Sequence, residues 1–305
     1  SLMEKCYVNT ESQKQLVLKN AEEHFSKSFV EKLDEKIEPY HLPVSDEDVV
    51  NAPTQKPFKT IVFNHRTKTY KDFKNFILKV CDPLWEKRQD FRVWIPLLDL
   101  GQMKEIGNKT WQERLKHNGG YIDDHRHDDK DGYYKRLTDC CVGYSPQQKY
   151  NGWSVATTDG MMRGVPFIMY DADYYRELNP TADLFNSYEQ AIVLLEKYLD
   201  DVDYRNNKAI ESLEYINNKL TWSSAIERLS KDIDRVVKSV KPAPEDGEGI
   251  GKILRDLKEK GEMTKRELIT QRWGSGIKFT PYRRALMENP NVSERRQRIP
   301  TYVWK

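Results

Sequence analysis

The chain has 305 residues, of which 32% are charged, and its mean hydropathy is −0.82. The sequence contains no apolar run long enough to cross a bilayer and no secretion signal in its first residues, so we expect a cytoplasmic protein without a membrane partner. The net charge of +2 conceals a division, because residues 252–305 carry 14 Lys and Arg against six Asp and Glu. This excess of +8 leaves −6 on residues 1–251 and predicts a basic appendage on a mildly acidic body.

The first part of the chain predicts alternating strands and helices. Residues 10–33 have an approximate apolar face at helical spacing, and Thr10-Glu-Ser-Gln predicts a capping box at the helix start. After a proline-interrupted connection, residues 59–64 form a β-type run, residues 73–84 have helical spacing, and residues 91–98 form a second strand. Strand, helix and strand in this order favour a parallel sheet.

The same order recurs further along the chain. Residues 133–137 predict a short helix, residues 140–144 a strand, and residues 188–199 a longer helix. Two more helices are expected within residues 205–240. The sequence therefore predicts an α/β body.

Residues 151–170 predict a loop, a helix, a tight turn and a strand. Asn151-Gly-Trp-Ser154 is a polar loop, Asp159 lies in the small-residue run that follows, and Gly164-Val-Pro166 leads into an apolar strand. In an open α/β sheet such a loop and helix start lie at the carboxyl edge, where backbone N–H groups favour phosphate. An acid within the helix can then bind a sugar hydroxyl.

The body resembles the carboxyl-terminal, donor-binding half of GT-B glycosyltransferases of the retaining class. That family has Glu-Gly-Phe-Gly, four residues, Glu-Ala, and then Gly-x-Pro-Val-Ile. Asn151-Gly-Trp-Ser154, Asp159-Gly160 and Gly164-Val-Pro-Phe-Ile168 match these segments, with Asn151 where the family has its first glutamate. The loop from Asn64 to Lys71 resembles the family's Gly-Arg loop with a following lysine.

The resemblance implies a role for each matched residue. Arg66 and Lys71 would be catalytic, since two cations there neutralise the diphosphate leaving group. Asp159 would bind the ribose hydroxyls. The other donor-binding residues implied are His65, Asn151, Gly152, Trp153, Ser154 and Glu177.

The resemblance also implies how the body is organised and what it needs for activity. Residues 1–52 would be the terminal strand, helix and connection of an acceptor-side half, and residues 53–240 a Rossmann-like nucleotide-sugar-binding domain with closing helices. The chain would then be a fragment or one subunit, with the acceptor-binding half or a partner subunit supplied separately. The expected donor is a UDP-sugar, with no cofactor and no metal. We interpret the acidic, histidine-containing loop of residues 123–131 as solvated.

The basic segment predicts a second domain. Residues 241–248 are a linker by composition, and residues 249–305 predict three helices and a hairpin, which resemble a small winged helix-turn-helix domain. Its third helix would present Lys278, Arg283 and Arg284 to a DNA groove. Its wing would place Arg295, Arg296 and Arg298 against phosphates. The alternative for this domain is a role in protein contact or packing on the body.

Together these features predict a metal-independent hexosyltransferase that uses a nucleoside-diphosphate sugar. Double-stranded DNA with modified bases is a candidate acceptor, as for a bacteriophage enzyme acting in the host cytoplasm. One alternative is a glycosyltransferase for a cell-surface or small-molecule acceptor. The other is a non-catalytic nucleic-acid-binding protein whose donor site has decayed.

Overall fold

The computed structural model describes residues 5–67, 71–98, 105–106, 109–148, 152–239, 255, 257–260, 262–264, 292–295 and 301–304. The strands are β1 (Cys6–Val8), β2 (Ile37–Pro39), β3 (Thr60–Val62), β4 (Arg92–Trp94), β5 (Glu105–Ile106), β6 (Lys109–Thr110), β7 (Ile122–Asp123), β8 (Val142–Ser145), β9 (Phe167–Tyr170), β10 (Asp183–Phe185), β11 (Glu262–Thr264), β12 (Val292–Arg295) and β13 (Thr301–Trp304). The helices are α1 (Glu11–Glu22), α2 (Lys27–Asp34), α3 (Phe73–Asn75), α4 (Asp82–Lys87), α5 (Trp111–Arg114), α6 (Lys130–Thr138), α7 (Val155–Met162), α8 (Asp173–Leu178), α9 (Tyr188–Asp200), α10 (Val202–Lys219) and α11 (Trp222–Ser239). A π-helical turn, Phe76–Cys81, joins α3 to α4. Lys5–Leu229 forms one compact unit, and Ser230–Lys305 belongs to a second.

A six-stranded parallel sheet organises the larger unit, which confirms the predicted α/β body. Its strand order is β10-β9-β8-β3-β4-β7. The chain builds outward from β3 through β4 to β7, and then outward on the other side from β8 through β9 to β10. The order therefore reverses between β3 and β8, and the carboxyl ends of two such strands are where open α/β sheets place ligands.

Helices cover both faces of this sheet. Ile61 and Phe63 belong to a core formed with α3, α4 and α9, whereas Val62 belongs to one formed with α6, α7 and α10. All three side chains are fully buried. A strand buried on both faces is apolar at successive positions, which is why residues 59–64 could be recognised as a strand.

The amino-terminal part of this unit differs from its prediction as one long helix. The chain breaks after α1, and Ser26 takes an extended conformation before α2. The break lets both helices pack beside the parallel pair β1 and β2, around Leu18 and Ile37. Phe25 and Phe29, assigned to the inward face by spacing, are instead exposed and stack on each other at 4.6 Å.

The predicted capping box of α1 is modified by one residue. The Thr10 hydroxyl accepts a hydrogen bond from the Gln13 amide at 3.1 Å, as expected. The Gln13 side chain, however, accepts from the Asn9 amide at 2.9 Å, one residue before the cap. The Thr10 cap still satisfies the Gln13 amide in the first turn of the helix.

In the second unit, β11, β13 and β12 form an antiparallel sheet in that order. Strands β12 and β13 lie where the hairpin was predicted, whereas β11 was not predicted. The expected second and third helices, with Lys278, Arg283 and Arg284, lie outside the described residues, as do Arg296 and Arg298. Arg295 ends β12. Among the described helices, none is long and apolar enough to cross a membrane.

Candidate donor site

One side chain ties the end of β3 to the helices that follow β7 and β8. The Asn64 amide nitrogen donates to the Tyr133 hydroxyl at 3.0 Å and to the Ala156 carbonyl at 2.5 Å. Tyr133 is on α6 and Ala156 is in the first turn of α7. Asn64 therefore fixes the three segments that meet where the strand order reverses.

The loop after β3 supplies the two predicted cations. Arg66 is exposed, whereas Lys71 is half-buried and donates a hydrogen bond from Nζ to Gln148 Oε1. Burial, followed by the charge of Arg66, lowers the pKa of Lys71 to about 8. An anion that approaches both cations would stabilise the protonated amine.

The backbone immediately after Lys71 is held in an uncommon conformation. Asp72 has a φ of 50°, in the left-handed region. Its carboxylate accepts hydrogen bonds from the Tyr188 hydroxyl at 3.0 Å and from the side-chain amide of Asn75 at 2.7 Å. Left-handed residues other than glycine carry strain, and these two contacts offset it. Lys71 is thus joined to a backbone that is fixed by side-chain hydrogen bonds.

His65, in the same loop as Arg66 and Lys71, is a buried and neutral imidazole. Its side chain is 3% exposed, and burial, followed by the charge of Lys71, lowers its pKa to about 3. The ring meets Phe63 edge-on at 5.4 Å. Its buried Nε2 has no hydrogen-bond partner among the described residues. His65 can therefore contact a ligand through a hydrogen bond but not as an imidazolium.

Hydrogen bonds fix both ends of α7. Ser154 caps its start by accepting from the Thr157 amide at 3.4 Å, and the two hydroxyls lie 2.8 Å apart. At its other end Gly164, with a φ of 70°, donates to the Met161 carbonyl, while the Val165 amide donates to the Gly160 carbonyl. This pair of bonds is a Schellman motif, which explains the glycine of Gly164-Val-Pro.

Close contact with the sheet sets the position of α7. A Cβ atom at Gly160 would lie 2.2 Å from the Phe167 ring, and one at Gly143 on β8 would lie 2.1 Å from the same ring. No side chain fits at either position without movement. The Phe167 ring therefore fills the space between β8 and α7. It lies against Gly160, which directly follows Asp159 in the sequence.

Asp159 lies on α7 and faces α6. Burial raises its pKa to about 7, with a smaller lowering by Lys130 and a further raising by Asp48. Among the described residues, no donor forms a hydrogen bond to its carboxylate. The nearby Tyr133 and Tyr134 feel its charge, since burial and then Asp159 raise their pKa values. The Asp159 carboxyl group therefore has a pKa near neutrality and lacks a hydrogen-bond donor among the described residues.

These elements enclose a cavity of about 900 Å³. Of the predicted site residues it brings together six: His65, Arg66, Lys71, Trp153, Ser154 and Asp159. The remaining lining residues, which were not predicted as site residues, are Asn64, Pro96, Leu97, Arg126, His127, Asp129, Lys130, Tyr133, Tyr134, Val155 and Ala156. The adjacent tyrosines of α6 were a sequence signal for a wall of this kind, because paired aromatics on a short polar helix are unusual.

Three predicted donor ligands are not among the cavity-lining residues. Asn151 lies outside the described residues. Gly152 precedes the cavity wall, near Gln13. The Glu177 carboxylate accepts from the amides of Glu11 at 2.8 Å and Ser12 at 3.1 Å, at the start of α1. Donor binding by these three residues stays a prediction.

The amino-terminal segment reaches this cavity through an aromatic contact. The His41 ring stacks on Trp153 at 4.8 Å, and Trp153 lines the cavity. His41 Nε2 lies 3.7 Å from Glu177 Oε2. Burial lowers the pKa of His41, and Glu177 opposes that effect. This contact could not be predicted from local patterns, because the two residues are 112 positions apart.

Solved structures of low sequence identity share this fold. Sucrose-phosphate synthase from Thermosynechococcus elongatus is 9% identical, with a TM-score of 0.56 over 76% of this chain and 58% of its own. A UDP-forming trehalose-phosphate synthase from Burkholderia xenovorans is 13% identical, with a TM-score of 0.58 over 77% and 62%. The pneumococcal O-GlcNAc transferase GtfA, in complex with UDP and GlcNAc, is 14% identical, with a TM-score of 0.52 over 77% and 45%.

These proteins are GT-B glycosyltransferases, and the larger unit has the fold of a Rossmann-like half of that architecture. The chain spans less than two thirds of the length of each of the three. No protein-family model and no curated protein matches the sequence.

Proposed function

We propose that the larger unit binds a nucleoside-diphosphate sugar in the 900 Å³ cavity and that the chain is a glycosyltransferase or the donor-binding part of one. The observation that carries this proposal is the convergence of Arg66, Lys71 and Asp159. They come from two segments about ninety residues apart and meet where the strand order reverses. Cations at one wall and a carboxylate at another suit a diphosphate joined to a ribose.

In this proposal Arg66 and Lys71 act on the leaving group. Transfer breaks the bond between the anomeric carbon and the diphosphate oxygen, which keeps the electron pair. The acceptor oxygen forms the new bond and passes its proton to the departing diphosphate oxygen. Two positioned cations stabilise the charge that develops on the diphosphate, so the proposed chemistry uses no metal. By resemblance, the sugar keeps its anomeric configuration, as in retaining enzymes.

Asp159 and the start of α7 would hold the rest of the donor. A carboxylate accepts two hydrogen bonds from the ribose diol, and an acid without a donor at present is suited to that contact. Uridine diphosphate is the first nucleotide to test, because two structurally similar enzymes are described as UDP-forming or as UDP-bound. Asn151 and Gly152 would contact the sugar and diphosphate.

Calorimetry with uridine diphosphate tests the proposal directly. The intact chain should bind it, and UDP-hexoses should compete for the same site. Asp159→Asn should weaken both ligands, whereas Asp173→Asn, at an exposed carboxylate on α8, should not. Absence of binding by the intact chain would exclude the donor site and favour a nucleic-acid-binding protein whose donor site has decayed.

For the acceptor, we infer duplex DNA bound by residues 249–305. The sheet order β11-β13-β12, with helical residues 257–260 just before β11, supports a winged helix, whose first strand pairs with the last strand of the hairpin. The excess of +8 on residues 252–305 supports a polyanionic partner. Hydroxylated bases, as in bacteriophage DNA, would supply the acceptor oxygen. A separate acceptor-binding half or partner subunit would complete the active site.

Salt-dependent binding of duplex DNA to the whole chain tests this inference. Replacing Arg295, Arg296 and Arg298 by alanine should lower the salt slope by about two to three, from roughly 0.9 per lost phosphate contact. Replacing Lys19, Lys27 and Lys32, which are exposed on α1 and α2, removes the same charge and should leave the slope unchanged. No binding even at low salt would exclude DNA and favour a cell-surface or small-molecule acceptor.

A further inference from the structure

A chain of hydrogen bonds leads from the cavity into the core. Lys71 Nζ donates to Gln148 Oε1, Gln148 Nε2 donates to the Tyr175 hydroxyl at 2.7 Å, and that hydroxyl donates to the Pro146 carbonyl at 2.9 Å. The backbone amide of Gln148 also donates to the Tyr174 hydroxyl at 3.2 Å. These hydrogen bonds join the loop after β3, the loop after β8 and helix α8. Gln148 and Tyr175 belong to none of the motifs recognised in the sequence.

Each bond of this chain can run in only one direction. The Pro146 carbonyl only accepts, so the single proton of Tyr175 is committed to it. The Tyr175 oxygen then accepts from Gln148, which must turn its NH2 group inward and its carbonyl toward Lys71. The orientation of Gln148, which diffraction seldom distinguishes, is thus set by its partners. Gln148 presents an acceptor to Lys71 and cannot present a donor.

Burial makes this arrangement rigid. Gln148 is 8% exposed and Tyr175 is fully buried. A buried polar group that loses its partner is destabilised, so each member resists rotation away from the others. On its other side Lys71 is joined to Asp72, whose carboxylate is held by Tyr188 and Asn75. Lys71 is therefore fixed through both its backbone and its ammonium group.

Gln148, which accepts the hydrogen bond from Lys71, is neutral, and that matters for binding an anion. Among the described residues, the charged and titratable groups near Lys71 include Arg66 and His65 in the same loop and Asp72, whose carboxylate is bound elsewhere, while the tyrosines of α8 lie behind Gln148. A carboxylate in place of Gln148 would form an ion pair with Lys71 and compete with a diphosphate. A neutral amide positions the ammonium without cancelling its charge.

We propose that Gln148 is a positioning residue of the donor site, which aims the Lys71 ammonium at the diphosphate and is itself oriented by Tyr175. This inference rests on the proposed function for the identity of the ligand. Its hydrogen-bond chain can be tested without any ligand. The two tests therefore fail independently of each other.

The first measurement is the pKa of Lys71, followed through the 13Cε shift in protein labelled with [13C]lysine and assigned by its absence in Lys71→Arg. Gln148→Glu should raise this pKa by about one unit or more, because it places a carboxylate against the amine. Tyr198→Phe removes a buried tyrosine hydroxyl bound to Asp183 and should leave this pKa unchanged. An unshifted Lys71 in Gln148→Glu would overturn the proposal, whether or not a nucleotide binds.

The second measurement is the affinity for uridine diphosphate at pH 7. Gln148→Met, which keeps the length and loses the acceptor, should weaken binding about tenfold, or ~1.4 kcal/mol. Gln148→Glu should weaken it similarly by competition, and Tyr175→Phe by a smaller factor. Thermal unfolding identifies folded variants, and Tyr198→Phe is the matched control. Wild-type affinity in folded Gln148→Met would overturn the positioning role, while absence of binding by the wild-type chain would overturn the proposed function instead.

Discussion

The two charged walls of the cavity are prepared in opposite ways. Lys71 is held by Gln148 on its side chain and by the fixed backbone of Asp72, whereas no donor among the described residues forms a hydrogen bond to Asp159. Burial shifts both pKa values toward neutrality, lowering that of Lys71 to about 8 and raising that of Asp159 to about 7. The cationic wall is organised before a ligand arrives, while in the proposed function the acidic wall would be completed by the ligand's hydroxyls.

The cationic wall should give the largest change on mutation. Arg66→Ala or Lys71→Ala removes a charge-assisted contact to diphosphate and should weaken uridine diphosphate binding by about 2 kcal/mol, or roughly 30-fold. Lys74→Ala, an exposed lysine of α3, is the control. Calorimetry measures the difference. Equal affinities for Lys71→Ala and Lys74→Ala would show that the organised wall does not bind the anion.

A substitution that moves α7 but keeps the charge of Asp159 should lower the stability of the protein by a similar free energy. Gly160→Ala places a Cβ against Phe167 and should lower the free energy of unfolding by about 1–3 kcal/mol. Because Asp159 is the preceding residue, recognition of ribose should weaken too. Urea unfolding tests this, and Gly152→Ala, where a Cβ lies at an ordinary 3.5 Å from Gln13, is the control. Equal stabilities for the two variants would contradict the close contact.

Asp159 should determine recognition of the ribose. The wild-type chain should bind uridine diphosphate about tenfold better than its 2′,3′-dideoxy analogue, from roughly 1.4 kcal/mol of lost hydrogen bonding. Asp159→Ala should bind the two ligands equally. Calorimetric titration of both ligands into both proteins forms a double-mutant cycle. A preference for the hydroxylated ligand that survives in Asp159→Ala would place the ribose elsewhere.

The pH dependence should be the smallest effect and should have opposite signs at the two walls. Asp159 accepts a hydrogen bond on each oxygen, strengthened by its charge, when it is ionised, so binding should weaken as the pH falls below about 7 and should release protons there. Lys71 attracts diphosphate only when protonated, so binding should weaken above about pH 8 and should take up protons. Affinity should therefore be highest between these values. Calorimetry in buffers of different ionisation enthalpy measures the proton transfer, and the same sign at pH 6 and pH 9 would contradict it.

Local sequence patterns were sufficient for much of the fold but for only part of the site. Within residues 59–64, Ile61, Val62 and Phe63 are apolar at successive positions, so β3 and the βαβ order could be recognised. Arg66, Lys71 and Asp159 follow strand ends or a helix start, where the fold class itself places ligands. The break after α1 could not be predicted, since it depends on packing against β1 and β2 rather than on helical spacing.

Contacts between distant segments account for the residues that were missed. Gln148 has no local pattern, and its importance depends on Tyr175 of α8 and Lys71 of the first loop. Glu177 shows the opposite case, since the resemblance implied a donor ligand and the carboxylate lies at the first amides of α1. Side-chain partners across layers are set by tertiary geometry, and a single sequence carries little information about them.

The Glu177 and His41 contacts have a mechanical consequence. To swing β1, α1 and β2 away from the parallel sheet, the protein would have to break both amide–carboxylate bonds and separate His41 from Trp153. Trp153 is part of the cavity wall, so such a motion would deform the place where a donor binds. The position of the amino-terminal segment is therefore coupled to the cavity wall through Trp153. A ligand in contact with Trp153 would stabilise that segment in its present position.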